Sequence, residues 1–195
     1  MNKQKDHIFF EEKLRLIGQR KNIVDVGGAG RFSKGLVPYR HLFNDANFRS
    51  FDMPGAGADI EGDIHHMPMD SESEDAVICN AVLEHVHDPI RAVEEMRRIL
   101  KPGGLALIQV PSTYPYHANK EYGDYWRFFE DTLVYLFRDF SSVEIMKQGG
   151  FFRAMVVFLP FDKRKLERPA AFLDRLFKTE GKRHTTRGFY VYAVK

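Results

Sequence analysis

The sequence has 195 residues, 29 Lys and Arg against 27 Asp and Glu, and a net charge of +2. This length suits one α/β domain, 1–195, rather than two, and the near-neutral charge argues against nucleic acid as a partner. The lone Cys79 rules out an internal disulfide. No run of 18 apolar residues predicts a membrane span, and the N-terminus does not resemble a signal peptide, so we expect a cytoplasmic location.

The first periodic stretch is Asp6–Gln19, whose apolar residues recur at a rough helical spacing. It predicts a helix that packs on a sheet or closes over a ligand.

A short apolar strand, Ile23–Val26, is followed at once by Gly27, Gly28, Ala29 and Gly30. Small residues let the backbone turn sharply and approach a ligand closely. A strand, a glycine turn and a helix form the nucleotide site of doubly wound sheets, and Asp25 lies within that unit. An ordinary strand-to-helix turn is the alternative interpretation.

Two cofactor classes fit this turn. Gly28, Gly30 and Ser33 nearly supply the dinucleotide fingerprint, although Ser33 stands where a smaller residue is required. The acid followed by small residues also resembles the first motif of class I methyltransferases, which bind S-adenosylmethionine. Ala29 and Arg31 depart from that motif at two of its glycine positions.

The next predicted strand, Phe48–Met53, ends with Asp52. A carboxylate at this point can accept hydrogen bonds from both hydroxyls of a ribose. Asp52 also precedes Pro54 and Gly55, so a simple turn residue remains the alternative.

The stretch from Gly62 to Pro111 carries the most specific pattern. Asp63 and Ile64 lead into a loop, and a buried strand, Ala76–Cys79, ends at Asn80. Asp88 and Pro89 are typical of a helix start, and a strand over Leu105–Val110 follows that helix.

This stretch resembles the small class I methyltransferases of the type 11 kind. The resemblance rests on Asp63, Pro68, the strand Asp75–Cys79, Leu83-Glu84-His85-Val86, Asp88-Pro89 and Arg98-Ile99-Leu100-Lys101-Pro102-Gly103-Gly104. It implies that the methionine part of S-adenosylmethionine contacts Asp25, Gly27, Gly28, Ala29 and Gly30. The ribose would contact Asp52, and the adenine would contact Asp63, Ile64 and Met53. The sulfonium would lie above Asn80 and Ala81. The resemblance also implies a three-layer α/β sandwich with a Rossmann-like, seven-stranded, mostly parallel sheet whose last strand is antiparallel.

An aromatic loop, Ser112–Phe129, follows the strand that ends at Pro111. Its Tyr-His and Asp-Tyr-Trp-Arg-Phe spacing resembles a signature of small methyltransferases, some associated with glycan assembly. We therefore predict that Tyr114, His117, Tyr125, Trp126 and Arg127 contact the acceptor, because aromatic faces suit sugar rings. The alternative is that these side chains only pack the loop onto the core.

The C-terminal third contains a predicted helix over Thr132–Phe140, a strand over Val143–Met146 and a last strand over Phe189–Val194. Phe151–Pro160 is apolar and predicts a buried or lid-like helix. Lys163–Arg187 is basic, which indicates a solvated face or a surface that steers an anionic substrate.

The pattern as a whole predicts methyl transfer from S-adenosylmethionine to a small-molecule or glycan-type acceptor. His85 and His117 are the candidate bases or orienting groups, with backbone-bonded structural roles as their alternatives. No metal site is predicted. A dinucleotide-dependent oxidoreductase and a non-catalytic cofactor-binding or scaffolding protein remain the rival functions, and the oligomeric state is left open.

Overall fold

The computed structural model describes residues 4–30, 32, 35–159, 163–179 and 185–195. One seven-stranded sheet runs through them, with helices on both faces. The helices are α1 Lys5–Gly18, α2 Pro89–Ile99, α3 Glu130–Leu136, α4 Phe151–Val156 and α5 Lys163–Leu176, with 3₁₀ turns at Val37–Phe43 and Leu83–His85. The strands are β1 Asn22–Val26, β2 Asn47–Asp52, β3 Ile60–Glu61, β4 Glu74–Asn80, β5 Leu100–Pro111, β6 Ser142–Lys147 and β7 Gly188–Val194.

The strand order is β3-β2-β1-β4-β5-β7-β6. The first five of these strands are parallel, and β7 pairs in the antiparallel direction with both β5 and β6. The predicted mostly parallel sheet with an antiparallel last strand is thereby confirmed.

Strand alternation divides the core into two layers, one on each face of the sheet. On β1, Val24 packs into the cluster that contains Met96 of α2 and Leu133 of α3. Ile23, which points to the opposite face, packs with Leu14 of α1. The predicted three-layer arrangement follows from this alternation.

Helix α2 begins as the sequence predicts. The side chain of Asp88 accepts a hydrogen bond from the backbone N–H of Arg91 at 3.0 Å, and Pro89 occupies the first turn. Such a cap satisfies one of the unpaired N–H groups at the helix start.

Several element boundaries differ from the sequence prediction. Strand β5 begins at Leu100 rather than Leu105, because Leu100 pairs with Glu74 of β4, and Gly103 and Gly104 form backbone hydrogen bonds with Lys195. Helix α3 ends at Leu136, although Phe137 and Phe140 beyond it are buried. Helix α5 was not predicted, since its charges and the internal Pro169 hide its helical period.

Some sequence-based expectations fall on residues outside the described ranges. Ser33 and Arg31, which bear on the choice between cofactor motifs, are among them, as are Pro160 and the basic residues Lys182 and Arg183.

Candidate active site at the carboxyl edge of the sheet

The carboxyl ends of the parallel strands meet at one edge of the sheet, and a cavity of about 1300 Å³ opens there. Ligands bind at this edge in open α/β sheets. Ten of the predicted site residues line the cavity: Gly27, Ala29, Asp52, Met53, Asp63, Ile64, Ala81, His85, Tyr114 and His117.

The turn after β1 is fixed by one backbone contact and by a tight fit. Gly27 has a φ of 75° and donates its N–H to the carbonyl of Phe51 at 2.7 Å, which links β1 to β2. A Cβ on Gly28 would lie 2.7 Å from Oδ2 of Asp25, whereas a Cβ on Gly30 would meet nothing within 4 Å. Asp25 is buried and, with Gly28 and Gly30, lies outside the cavity lining.

Asp52 ends β2 at the cavity wall and organises the chain that follows. Its Oδ1 accepts the backbone N–H of Met53 at 2.7 Å. Glu61 of β3 accepts the N–H groups of Gly55 and Gly57 at 3.1 and 3.0 Å, so the 54–57 loop is tied to the neighbouring strand. This arrangement leaves Asp52 and Met53 facing the cavity.

Asp63 is held by its neighbour His65. Oδ1 of Asp63 accepts the backbone N–H of His65 at 2.9 Å and lies 2.6 Å from His65 Nδ1. These hydrogen bonds, the backbone one foremost, lower the pKa of Asp63 against the opposing effect of desolvation. The side chain remains an ionised acceptor at neutral pH.

The end of β4 has an unusual backbone. Ala81 has a φ of 51° and donates its N–H to the carbonyl of Gln109 at 2.9 Å, which turns it toward the cavity. A non-glycine residue in this left-handed region is strained and often lies at a functional site. Asn80 is buried and does not line the cavity, and its Oδ1 has no hydrogen-bond partner among the described residues.

Two histidines and a tyrosine meet at the cavity wall. The ring of His85 lies 4.8 Å from the ring of His117 and 4.3 Å from the ring of Tyr122, centroid to centroid. His85 Nδ1 lies 2.7 Å from the carbonyl of Gly123, and His117 Nδ1 lies 3.0 Å from the carbonyl of Pro115. A carbonyl oxygen accepts a hydrogen bond only from a nitrogen that bears a proton, so we assign the proton to Nδ1 in both rings. Each Nε2 is then a proton acceptor.

Glu84 lies beside these rings, with its Oε1 3.9 Å from His85 Nε2. Potential ligand atoms of Glu84, His85 and His117 lie within 4.8 Å of one another, a group that could hold a metal ion. The sequence predicted no metal site, and that expectation stays a prediction.

The second part of the aromatic loop lies outside the cavity lining. Tyr125 and Trp126 are 59% and 42% exposed, and the indole N–H of Trp126 donates to the carbonyl of Val86 at 2.9 Å. Arg127 pairs with Asp124 and also donates to the carbonyls of Tyr114 and Pro115. These contacts hold the loop, so the predicted acceptor roles of Tyr125, Trp126 and Arg127 receive no support from the geometry.

The cavity is also lined by residues that are not among the predicted site residues. They include Glu84, Gln109, Glu121, Tyr122, Gln148, Val156, Val157, Glu167, Arg187 and Tyr190. Gln109 Nε2 donates to Gln148 Oε1 at 3.4 Å, and burial raises the pKa of Tyr190 to about 12, which keeps its phenol protonated. A polar residue inside the apolar β5, Gln109, was the available signal.

Comparisons with known proteins find a methyltransferase family model and several methyltransferases. The family model described as a methyltransferase domain, type 11, matches residues 28–108. An uncharacterized 37.1 kDa protein in transposon TN4556 of Streptomyces fradiae is 34% identical over 77 residues, covering 40% of this chain and 22% of that protein. The 2-methyl-6-phytyl-1,4-hydroquinone methyltransferase 1 of Oryza sativa subsp. japonica is 29% identical over 145 residues, covering 65% of this chain and 43% of that protein.

The chain therefore spans less than half the length of these curated relatives. A solved structure, a SAM-dependent methyltransferase from Archaeoglobus fulgidus, is similar over 97% of this chain and 99% of that chain, with a TM-score of 0.60 and 14% identity. That similarity concerns the fold.

The strand order, the glycine turn and the acids that follow successive strands define a class I methyltransferase fold. Within this fold, the methyltransferase-domain model matches residues 28–108, and the chain is there similar to class I methyltransferases that depend on S-adenosylmethionine. The predicted resemblance and cofactor are confirmed, and the comparisons do not support the dinucleotide alternative. The individual residue roles stay predictions.

Proposed function

We propose that this protein transfers a methyl group from S-adenosylmethionine to a small-molecule or glycan-type acceptor. One observation carries the proposal: a single cavity joins Asp52 and Asp63 to the cluster of His85, His117 and Tyr122. Its volume of about 1300 Å³ exceeds the roughly 300–1,000 Å³ of a typical one-ligand pocket. The cavity has room for a cofactor and an acceptor side by side.

The half formed by β1, β2 and β4 fits the cofactor. Asp52 would accept hydrogen bonds from the ribose, and Asp63 with Ile64 would meet the adenine, with Met53 against the ring. Gly27, Ala29 and Ala81 bring backbone close to the remaining part. Asp25, Gly28, Gly30 and Asn80 would act from behind this surface by fixing the shape of the two turns.

When bound, the cofactor supplies an electrophilic methyl group on a sulfonium leaving group, so positioning can provide much of the rate. A hydroxyl acceptor must also lose its proton. Nε2 of His85 is the proposed proton acceptor, because Nδ1 is committed to the carbonyl of Gly123 and the ring faces the cavity. His117 orients the acceptor or shares this task.

The half formed by β5, β6 and β7 fits a polar acceptor. Gln109, Gln148, Arg187 and Tyr190 offer amide, guanidinium and phenol groups, while Tyr114 offers an aromatic face. Hydrogen-bonding groups beside an aromatic ring suit a hydroxyl-rich ring such as a sugar. The non-catalytic alternative predicts cofactor binding without turnover.

Calorimetry with S-adenosylmethionine, S-adenosylhomocysteine and NAD tests the first half of the proposal, and we expect binding of the first two only. Release of S-adenosylhomocysteine during incubation with panels of glycans, phenols and nucleotide sugars tests the second half. Binding of NAD with no response to S-adenosylmethionine would refute the proposal. Cofactor binding without turnover across all panels would favour the binding protein.

A further inference from the structure

Helices α4 and α5 form a lid over the acceptor half of the cavity. Val156 and Val157 at the end of α4 and Glu167 of α5 contribute to the cavity lining. One face of the lid therefore contacts the site, and its opposite face is available to the surroundings.

The acidic residues of the described part of the lid are turned inward. Asp174 is fully buried and accepts the N–H groups of Gly150, Phe152 and Arg153 at 3.0, 2.8 and 3.2 Å, which caps the start of α4. Glu167 accepts from Arg153 Nε at 2.7 Å. Both carboxylates are used in holding the lid together.

The outer face of the lid is apolar and basic. Four apolar side chains are between 42% and 60% exposed, and four cations accompany them; together they form the lid patch: Phe151, Phe172, Leu176, Phe177, Lys165, Arg168, Arg175 and Lys178. Phe172 and Leu176 lie one turn apart on α5. Phe151 is linked to Phe177 through the ring of Phe152, with centroid distances of 5.5 Å for each pair.

We infer that the lid patch docks on an anionic lipid surface. A helix with a basic rim and large apolar side chains partitions into the interface of a membrane, where the apolar groups leave water and the cations meet acidic headgroups. No helix in the described ranges is long and apolar enough to cross a bilayer. The inference is independent of the proposed acceptor, and it places the lid between the acceptor half of the cavity and the lipid.

A second copy of the chain fits the patch less well. A twofold dimer through this face would bring the four cations of each copy into one interface. Neither Glu167 nor Asp174 is available to compensate, because both are engaged inside the lid. Charge complementarity therefore selects an anionic partner.

Sedimentation with vesicles tests the inference. Wild-type protein is mixed with vesicles of phosphatidylcholine alone or with phosphatidylglycerol added, at low and high salt. We expect binding to the anionic vesicles only, weakened by salt. The variants F172S/L176S and R168S/R175S should each weaken this binding by about tenfold or more.

The matched control is V134S/Y135S on α3, whose two side chains are 57% and 55% exposed. It should bind vesicles like wild type, and S-adenosylhomocysteine binding by every variant confirms an intact fold. Two results would overturn the inference. In the first, wild type or the control variant does not bind anionic vesicles; in the second, the lid variants bind them as well as wild type. A dimer that F172S/L176S converts to monomer would instead assign the patch to a second copy.

Discussion

Arg127 holds Asp124 through two parallel hydrogen bonds, from Nη1 to Oδ1 at 2.5 Å and from Nη2 to Oδ2 at 2.7 Å. The same carboxylate accepts the backbone N–H of His117 at 2.9 Å. A paired fork of this kind is among the stronger side-chain contacts. It connects the exposed end of the aromatic loop to a histidine of the cavity, and we propose that Arg127 positions His117 through Asp124.

The first prediction concerns the pH dependence of stability. The Arg127 guanidinium lowers the pKa of Asp124 well below its usual value, despite desolvation. The unfolded chain, with a pKa of about 3.9, takes up the proton first. The stabilisation is complete above that value and is lost as the pH falls below it. When melting temperature is plotted against pH, D124N should show a shallower rise from acidic pH and a lower plateau at neutral pH than wild type.

Asp63 and Glu95 also have lowered pKa values, so D124N should remove only part of the slope. D45N, which alters an exposed carboxylate, is the control and should keep the wild-type profile. An unchanged profile in D124N would show that the pair contributes nothing to stability.

Trp126 provides the second prediction. W126F removes the hydrogen bond to the carbonyl of Val86 and keeps an aromatic ring, so we expect a loss of about 0.5–1.5 kcal/mol in the free energy of unfolding. Denaturant titration followed by circular dichroism measures it. The prediction that Trp126 contacts the acceptor demands a different result. W126F would then keep its stability and lose methyl transfer, and the acceptor would quench Trp126 fluorescence in the wild-type protein.

The glycine turn gives a matched pair of substitutions. G28A should weaken S-adenosylmethionine binding and lower the melting temperature, because the new Cβ would press on Asp25 at 2.7 Å. G30A should leave both close to wild type, since its Cβ would meet nothing within 4 Å. Calorimetry and thermal denaturation on the two variants decide this. If G28A keeps the cofactor affinity and melting temperature of G30A, the turn accommodates the added methyl group without loss of stability.

These residues also show what the sequence could predict. The turn after β1 and the capped start of α2 are local patterns, so their positions followed from neighbouring residues alone. The acceptor half is different: Gln148 and Arg187 come from the end of β6 and the approach to β7, and they meet only because β7 inserts between β5 and β6. The outward position of Trp126 likewise depends on a carbonyl 40 residues away in the chain.

Asp52 supports a prediction about affinity. If its carboxylate serves the ribose hydroxyls, D52A should cost about 1.5–3 kcal/mol per charged hydrogen bond lost, roughly tenfold or more in Kd. D25N should cost less, because Asp25 lies behind the turn and outside the cavity lining. Calorimetry with S-adenosylhomocysteine measures both. Wild-type affinity in a correctly folded D52A would remove Asp52 from the site.

The last prediction separates a catalytic His85 from a structural one. Asparagine can replace Nδ1–H as a donor to the carbonyl of Gly123 but has no counterpart of Nε2, so H85N keeps the loop contact and removes the proposed base. If Nε2 takes the proton from the methyl acceptor, kcat/KM of H85N should fall by about 10²–10⁴-fold, while its cofactor affinity and melting temperature stay near wild type. H41N, at an exposed histidine, is the control and should change none of the three. If H85N retains full activity while H85A loses stability, the ring serves only to anchor Gly123, and His117 becomes the remaining candidate for the base.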